Sequence, residues 1–386
     1  MIKIVNAKLR RILDSTGKLA YEAEIVVEGG YKGIASAPSA ILAGIRERKV
    51  SCFSTSNDFC QELINNYYDQ YSLDKLLEGA VDYIGTDISL SISLAFARAY
   101  CKKEDTELVN YIKSLVPVLR PENSITPLIP FFSGGVHAPW QNGSIQQIML
   151  KVCGLPFDET VKSIQRIYNE VEQYLKDKQY YAGLAASSGF LTQNITPTQQ
   201  FEILSLFIEK SSIKHHLSIA IDVAAEHLKK GEDYIYFGET YSPIEFEELL
   251  YSYIKQYPIS YVEDPFDCYN RANWITLKSR SNNETEFFSD DYSATQSKYI
   301  DTQISDGVII KMKQVGTLIG TLQMIYESTR LGLKTCVSHR SCETEDTFIC
   351  DLAVATNADL IKMGGLRRGD RVEKYNRLLR LFNMSL

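Results

Sequence analysis

The chain has 386 residues, 45% of them hydrophobic and 23% charged, with a formal net charge of −7. That length exceeds one small core and fits two or three domain-sized units with the balance of a soluble globular protein. An acidic chain with no basic patch has no general affinity for polyanions, so no nucleic-acid partner is expected. No apolar run approaches the roughly 18 residues of a membrane span, so no membrane partner is expected either. Eight cysteines are scattered along the chain with none in a Cys-x-x-Cys spacing. They read as reduced, mostly buried thiols of a cytoplasmic protein. The opening MIKIVNAKLRRILD is strand-like with charges throughout, unlike a signal peptide.

The first third begins with alternating segments, Lys3 to Leu13 and Leu19 to Val27, around the turn Asp14-Ser15-Thr16-Gly17. This predicts a hairpin, and Glu28-Gly29-Gly30 turns the chain toward a third segment, Tyr31 to Ala37. Helix-period apolar positions follow in Leu90 to Tyr100 and Leu108 to Leu115. Strands first and helices afterwards predict an N-terminal α+β domain over residues 1–120, ending near Pro121. From Leu217 the pattern changes to short apolar strands alternating with helical stretches: LSIAIDVA, PIEFEELLYSYIKQ, ISYVEDP, EFFSDD, GVIIKMK, a helix over Gln314 to Leu331, KTCVSHR, a helix around Thr347 to Ala355, and DLIKMGG. His215 and His216 are expected to begin the first of these strands near the surface. Continuous apolar strands between helices indicate a parallel sheet with both faces covered. Several βα units in succession favour a (β/α) barrel over residues 121–386, although periodicity alone leaves an open doubly wound sheet open.

Each strand finishes in an ionisable residue: Asp222, Glu263, Asp290, Lys311, His339 and Lys362. In a barrel these ends converge on the face where active sites are built. Three carboxylates without cysteine or paired histidine form a hard oxygen site suited to Mg²⁺ or Mn²⁺. Lys311 and Lys362 are expected beside it, with pKa values lowered by burial and positive charge, as a base requires. The chemistry these groups suit is removal of a proton next to a carboxylate, the cation stabilising the enediolate. Ser338-His339-Arg340-Ser341 adds a guanidinium and hydroxyls able to grip phosphate.

The string VSHRSCETEDTFICDLAVATNADLIKMGG with RVEKYNRLLR resembles the C-terminal part of the enolase family, the phosphopyruvate hydratases of glycolysis. So do VEDPF, SDDYSATQSKYI and IIKMKQVGTL, while Gly134-Gly135-Val136-His137-Ala138 is similar to the family's GG-x-HA loop and RRILDSTG to its N-terminal turn. The resemblance runs from about residue 3 to 382. It implies an enolase-type (β/α)8-like barrel under an N-terminal α+β capping domain. It further implies Asp222, Glu263 and Asp290 as Mg²⁺ ligands, Lys311 as the base, and Lys362 at the substrate carboxylate. Arg340 and Ser341 would hold phosphate, His137 and His339 would line the pocket, and the family's mobile serine loop falls at Ser36 to Ser39. A homodimer or higher homo-oligomer is implied too, although the family's arginine at the N-terminal contact is Thr16 here.

Two acids of the family pattern are absent. Gln147 stands for the glutamate after the GG-x-HA loop and Ser187 for the second one. No Asp or Glu occurs between His137 and Asp158 or between Asp177 and Glu202, so no realignment restores either. These glutamates help the β-hydroxyl leave, and losing a general acid costs about 10²–10⁴-fold. Three functions follow from the resemblance and this departure. The first is an enolase-type lyase acting on 2-phosphoglycerate or a close phospho-carboxylate with reduced or altered dehydration. The second is a biosynthetic paralogue in the manner of the carboxyphosphonoenolpyruvate synthases. The third is a non-catalytic ligand-binding protein that keeps the fold.

Overall fold

The computed structural model describes residues 1–38, 46, 56–117, 120–121, 124–138, 140, 143–281 and 284–383. Ser39 and the side chain of His137 lie outside the described residues. In the N-terminal part, Ile2–Leu13 pairs antiparallel with Leu19–Val27, which pairs with Tyr31–Ala37. Asp14 builds the first turn. Its Oδ1 accepts from the amides of Thr16 and Lys18 at 2.8 and 3.0 Å and from the Thr16 hydroxyl at 2.7 Å. An aspartate bonded to its own backbone in this way substitutes for a backbone turn. Helix Thr86–Lys103 covers one face of the sheet. A Cβ at Gly33 would collide with the carbonyl oxygen of Ala95, so the sheet and helix approach where glycine leaves room.

Among the described residues eight strands close into a barrel, in the order Thr126–Ser133, Gln147–Val152, Leu217–Asp222, Ile259–Glu263, Glu286–Ser289, Gly307–Ile310, Lys334–Ser338 and Leu360–Lys362. The last pairs back with the first. The run from Leu217 onward is parallel, as its continuous apolar strands require. Gln147–Val152, in contrast, lies antiparallel to both neighbours. The stretch between it and Thr126–Ser133 is short and includes the 3₁₀ turn Gly135–His137, and the two strands pair as a hairpin. Two smaller expectations also change. His215 and His216 sit in a 3₁₀ turn, and the strand starts after them at Leu217. The helix expected over Gln314 to Leu331 is two helices, Met312–Val315 and Leu318–Arg330. They part at Gly316, whose φ is 95°, and the Thr317 side chain caps the second by accepting from the Gly320 amide.

The barrel interior follows the two-residue period of a strand. Leu128, Met149, Ala220, Tyr261, Phe288, Ile309, Cys336 and Leu360 form one buried cluster. Two residues beyond Ala220, Tyr261, Phe288, Ile309, Cys336 and Leu360 stand Asp222, Glu263, Asp290, Lys311, Ser338 and Lys362. On the reversed strand the step is reversed as well, and Gln147 stands two residues before Met149. Apolar layer and polar layer are thus successive storeys of the same strands.

The capping part is fastened to the loop that follows the strand Lys334–Ser338. Arg98 donates to both oxygens of Asp346 at 2.6 and 2.8 Å, the bidentate geometry that guanidinium and carboxylate share. The Ser36 amide donates to the same carboxylate at 3.0 Å. Ser15 and Glu343 exchange two more bonds across this junction, at 2.7 and 3.1 Å.

Candidate active site

A cavity of about 340 Å³ opens at the strand ends. Gln147, Asp222, Asp290, Lys311, His339, Arg340, Ser341 and Lys362 line it, and Glu263 lies just beneath, fully buried. The cavity also brings in Ser338 and Val136 of the two segments named above, with Gln146, His227 and Asp291, which were given no role from sequence. Asp291 and Gln146 adjoin strand-end positions and could have been found there. His227 arrives on the 3₁₀ turn Ala225–His227, entered through Ala224 in the left-handed region at φ 48°, which no spacing rule predicts.

The register of the strands sets the cavity's charges side by side. Glu263 pairs across the ladder with Asp222, and Ser338 with Lys362. The Lys362 ammonium lies 2.7 Å from Asp222 Oδ2 and 2.9 and 3.0 Å from the two Glu263 oxygens. Lys311 pairs with Asp290 Oδ2, and Gln146 donates to Asp222 Oδ2 at 3.4 Å. Burial, and then the Asp222 charge, push the Glu263 carboxyl up to about 8 even with Lys362 in contact. Burial also acts to raise Asp290, but Lys311 and Lys362 outweigh it and hold that carboxyl below the usual range.

Among protein groups alone, the balance of charge on both lysines runs upward. Burial acts to lower Lys311, yet Asp290 and Asp291 together outweigh it and raise its pKa. Lys362 is likewise raised, burial being overcome by Asp222, Glu263 and Asp290. The expected lowering rested on the charge of a bound cation, which these protein neighbours do not include.

Three observations bear on a cation. The carboxylate oxygens of Asp222 and Glu263 already surround one positive group. Asp290 Oδ1 is buried with no protein hydrogen-bond donor. The donor set is wholly oxygen. These residues fit a hard divalent ion of the Mg²⁺ type. Asp264, Asp290 and Asp291 also bring ligand oxygens within 4.8 Å of one another. In that group Asp264 is committed to the backbone, accepting from the amides of Asp290 and Asp291 at 2.9 and 2.7 Å.

His339 follows the strand Lys334–Ser338, and its Nδ1 contacts Nη1 of the buried Arg371. A guanidinium has only donors, so Nδ1 is the acceptor and the neutral ring carries its proton on Nε2. Burial, then Arg371, Lys362 and Lys374, hold the His339 pKa well below its ordinary value. Gly364, at φ 86°, makes room for the arginine, since a Cβ there would meet Arg371 Cδ at 2.7 Å. Arg371 also donates to the Ser341 carbonyl at 2.9 Å, tying helix Gly369–Asn383 to the loop below.

Two expected residues stand apart. Ser187 is fully buried outside the cavity lining, its Oγ 3.2 Å from that of Ser133. Ser36 faces the cap junction, donating to Thr344 Oγ1 at 2.8 Å, and borders a small side cavity of about 30 Å³ shared with Lys311 and Arg340.

Residues 124–384 match the family described as the enolase C-terminal TIM-barrel domain. This chain belongs to the enolase superfamily. The matched stretch spans the whole closed barrel, with its reversed second strand, and every residue lining the cavity. Members of the superfamily typically use Mg²⁺. Among the described residues no helix is long and apolar enough to cross a membrane.

Proposed function

We propose that the chain is a Mg²⁺-dependent enolase-like lyase that removes the α-proton of 2-phosphoglycerate or a close phospho-carboxylate. The observation that carries this reading is the pairing of the buried Lys362 and the half-buried Lys311 with three buried carboxylates at the mouth of one barrel. Asp222, Glu263 and Asp290 would hold the cation, which when bound supplies positive charge to the substrate carboxylate and to the enediolate. Lys362 and Arg340 would bind the anionic ends of the substrate, with Ser341 beside them. Lys311 would take the proton. As an ammonium paired with Asp290 it cannot, so the base form requires that pair to part and the lysine to lose its proton first. His339 would offer its Nε2–H as a hydrogen-bond donor, locked in that tautomer by Arg371.

Water elimination is the weaker half of this machinery. Gln147 occupies the cavity with a neutral amide, and its Oε1 is buried without a donor. An amide holds a ligand group but cannot protonate a leaving hydroxyl. This favours, as a second reading, a paralogue in which the enediolate meets another electrophile. Incubation with Mg²⁺ and 2-phosphoglycerate in D₂O tests both readings. Deuterium at C2 by NMR with little phosphoenolpyruvate is expected, and Lys311→Ala abolishes the exchange. Rapid phosphoenolpyruvate formation refutes the role given to Gln147. Exchange persisting in Lys311→Ala refutes the base.

A further inference from the structure

The inner apolar layer of the barrel contains one hydroxyl, that of Tyr261. Its ring is fully buried against Phe288, with centroids 4.7 Å apart and planes at 31°. The hydroxyl donates to Glu263 Oε2 at 2.9 Å. A strand puts residues i and i+2 on the same face, so a tyrosine beneath a glutamate reaches up into the polar storey from the apolar one. Phenylalanine would fill the same space in that layer, so packing alone does not call for the hydroxyl. A glutamate's terminal torsion is broad and roughly two-fold, so its orientation follows from its bonding partners. Lys362 contacts both Glu263 oxygens and so does not choose between them. Tyr261, fixed by its ring, bonds only one.

We infer that Tyr261 is a positioning residue for the divalent-cation site, its hydroxyl holding the Glu263 carboxylate in the orientation in which that group serves as a ligand. The inference rests on the cation-site reading above. Groups bonded to metal ligands typically govern affinity by about 10–100-fold when removed.

The test uses the full chain. Mg²⁺ affinity is measured by calorimetry and Mn²⁺ affinity from the electron paramagnetic resonance of the free ion, for wild type and for Tyr261→Phe, which keeps the ring. A loss of about 10–100-fold in both is expected. Equal affinity in a folded Tyr261→Phe overturns the inference while leaving the cation site standing. Wild-type protein that binds neither ion overturns the cation site and this inference with it. Leu128→Ala weakens the same layer without touching Glu263 and should lower the melting temperature at near wild-type affinity. If it loses as much affinity as Tyr261→Phe, the effect is general loosening and the inference fails. A second readout keeps the hydroxyl in place should Tyr261→Phe not fold. With 3-fluorotyrosine at position 261, the ¹⁹F resonance should move saturably with Mg²⁺, and a resonance indifferent to the ion is the contrary result.

Discussion

Replacing Lys362 by Met removes the ammonium between Asp222 and Glu263 while keeping much of its hydrocarbon volume. The Asp222 and Glu263 side chains are 4% and 0% exposed, so without the ammonium they are poorly compensated. Removing one partner of a buried charge pair costs about 3–5 kcal/mol. An independent bound agrees with it. Glu263 is already pushed up to about 8 with the lysine present, so the variant can escape only by protonating the second carboxyl as well. Holding a carboxyl of ordinary pKa 3.9 neutral at pH 7.5 costs about 1.4 kcal/mol per unit, or about 5 kcal/mol. The sign follows from linkage. A carboxyl whose folded pKa is raised stabilises less as pH climbs above the unfolded pKa. The deficit of Lys362→Met should therefore grow by about 1.4 kcal/mol per pH unit and shrink to about 2 kcal/mol near pH 5.5. Mg²⁺ should restore part of it, by about 2.7 kcal/mol at a hundred times the dissociation constant. Urea unfolding of both proteins at pH 5.5 and 7.5, with and without Mg²⁺, gives all four numbers. A deficit that is independent of pH and unmoved by Mg²⁺ would show that the three side chains do not form a cation site.

Gln147→Glu returns an acid to the cavity and should raise dehydration of 2-phosphoglycerate toward the 10²–10⁴-fold worth of a general acid, read as phosphoenolpyruvate absorbance. Ser187→Glu should add nothing to it and should destabilise by on the order of 3 kcal/mol, because the new carboxyl is buried beside Ser133. His339 resists protonation when folded, whereas the unfolded chain takes up a proton below about pH 6.5, so its contribution is lost as pH falls through that value. The pH 5 to 7 stability difference should therefore shrink in His339→Gln, and an unchanged slope would contradict the neutral assignment. Arg371→Met frees Nδ1, and the ¹⁵N shifts of His339 should report a change of tautomer or protonation.

Most of the barrel could be read because its strands announce themselves twice, by apolar runs and by the ionisable residue that ends each. Asp222, Glu263, Asp290, Lys311, His339 and Lys362 all stand at or one residue past their strand ends. The reversal of Gln147–Val152 was not readable, since a buried strand's composition is indifferent to its direction. Ser187 was placed by alignment with a family acid, yet which storey a side chain occupies depends on local turns such as the left-handed Ser188 at φ 68°. The protein charges facing each lysine were also not readable. A list of charges near a site does not say which lie within bonding distance, and at 2.7–3.0 Å the carboxylates decide. His227 and Arg371 reach the site from a short turn and a distant helix, and only tertiary packing brings them there.

The apolar storey beneath the polar one also seals the barrel's floor. With eight buried side chains below it, the cavity is closed toward the barrel interior and opens at the strand ends, where substrate, water and product meet. A proton moved onto Lys311 has no exit downward. While a ligand fills the mouth, that proton is held close to the molecule it came from and can return to it. Internal return should therefore compete with exchange to solvent. Tritium at C2 of the substrate should be washed out more slowly than carbon–hydrogen bonds are broken, a gap that widens as the ligand binds more tightly.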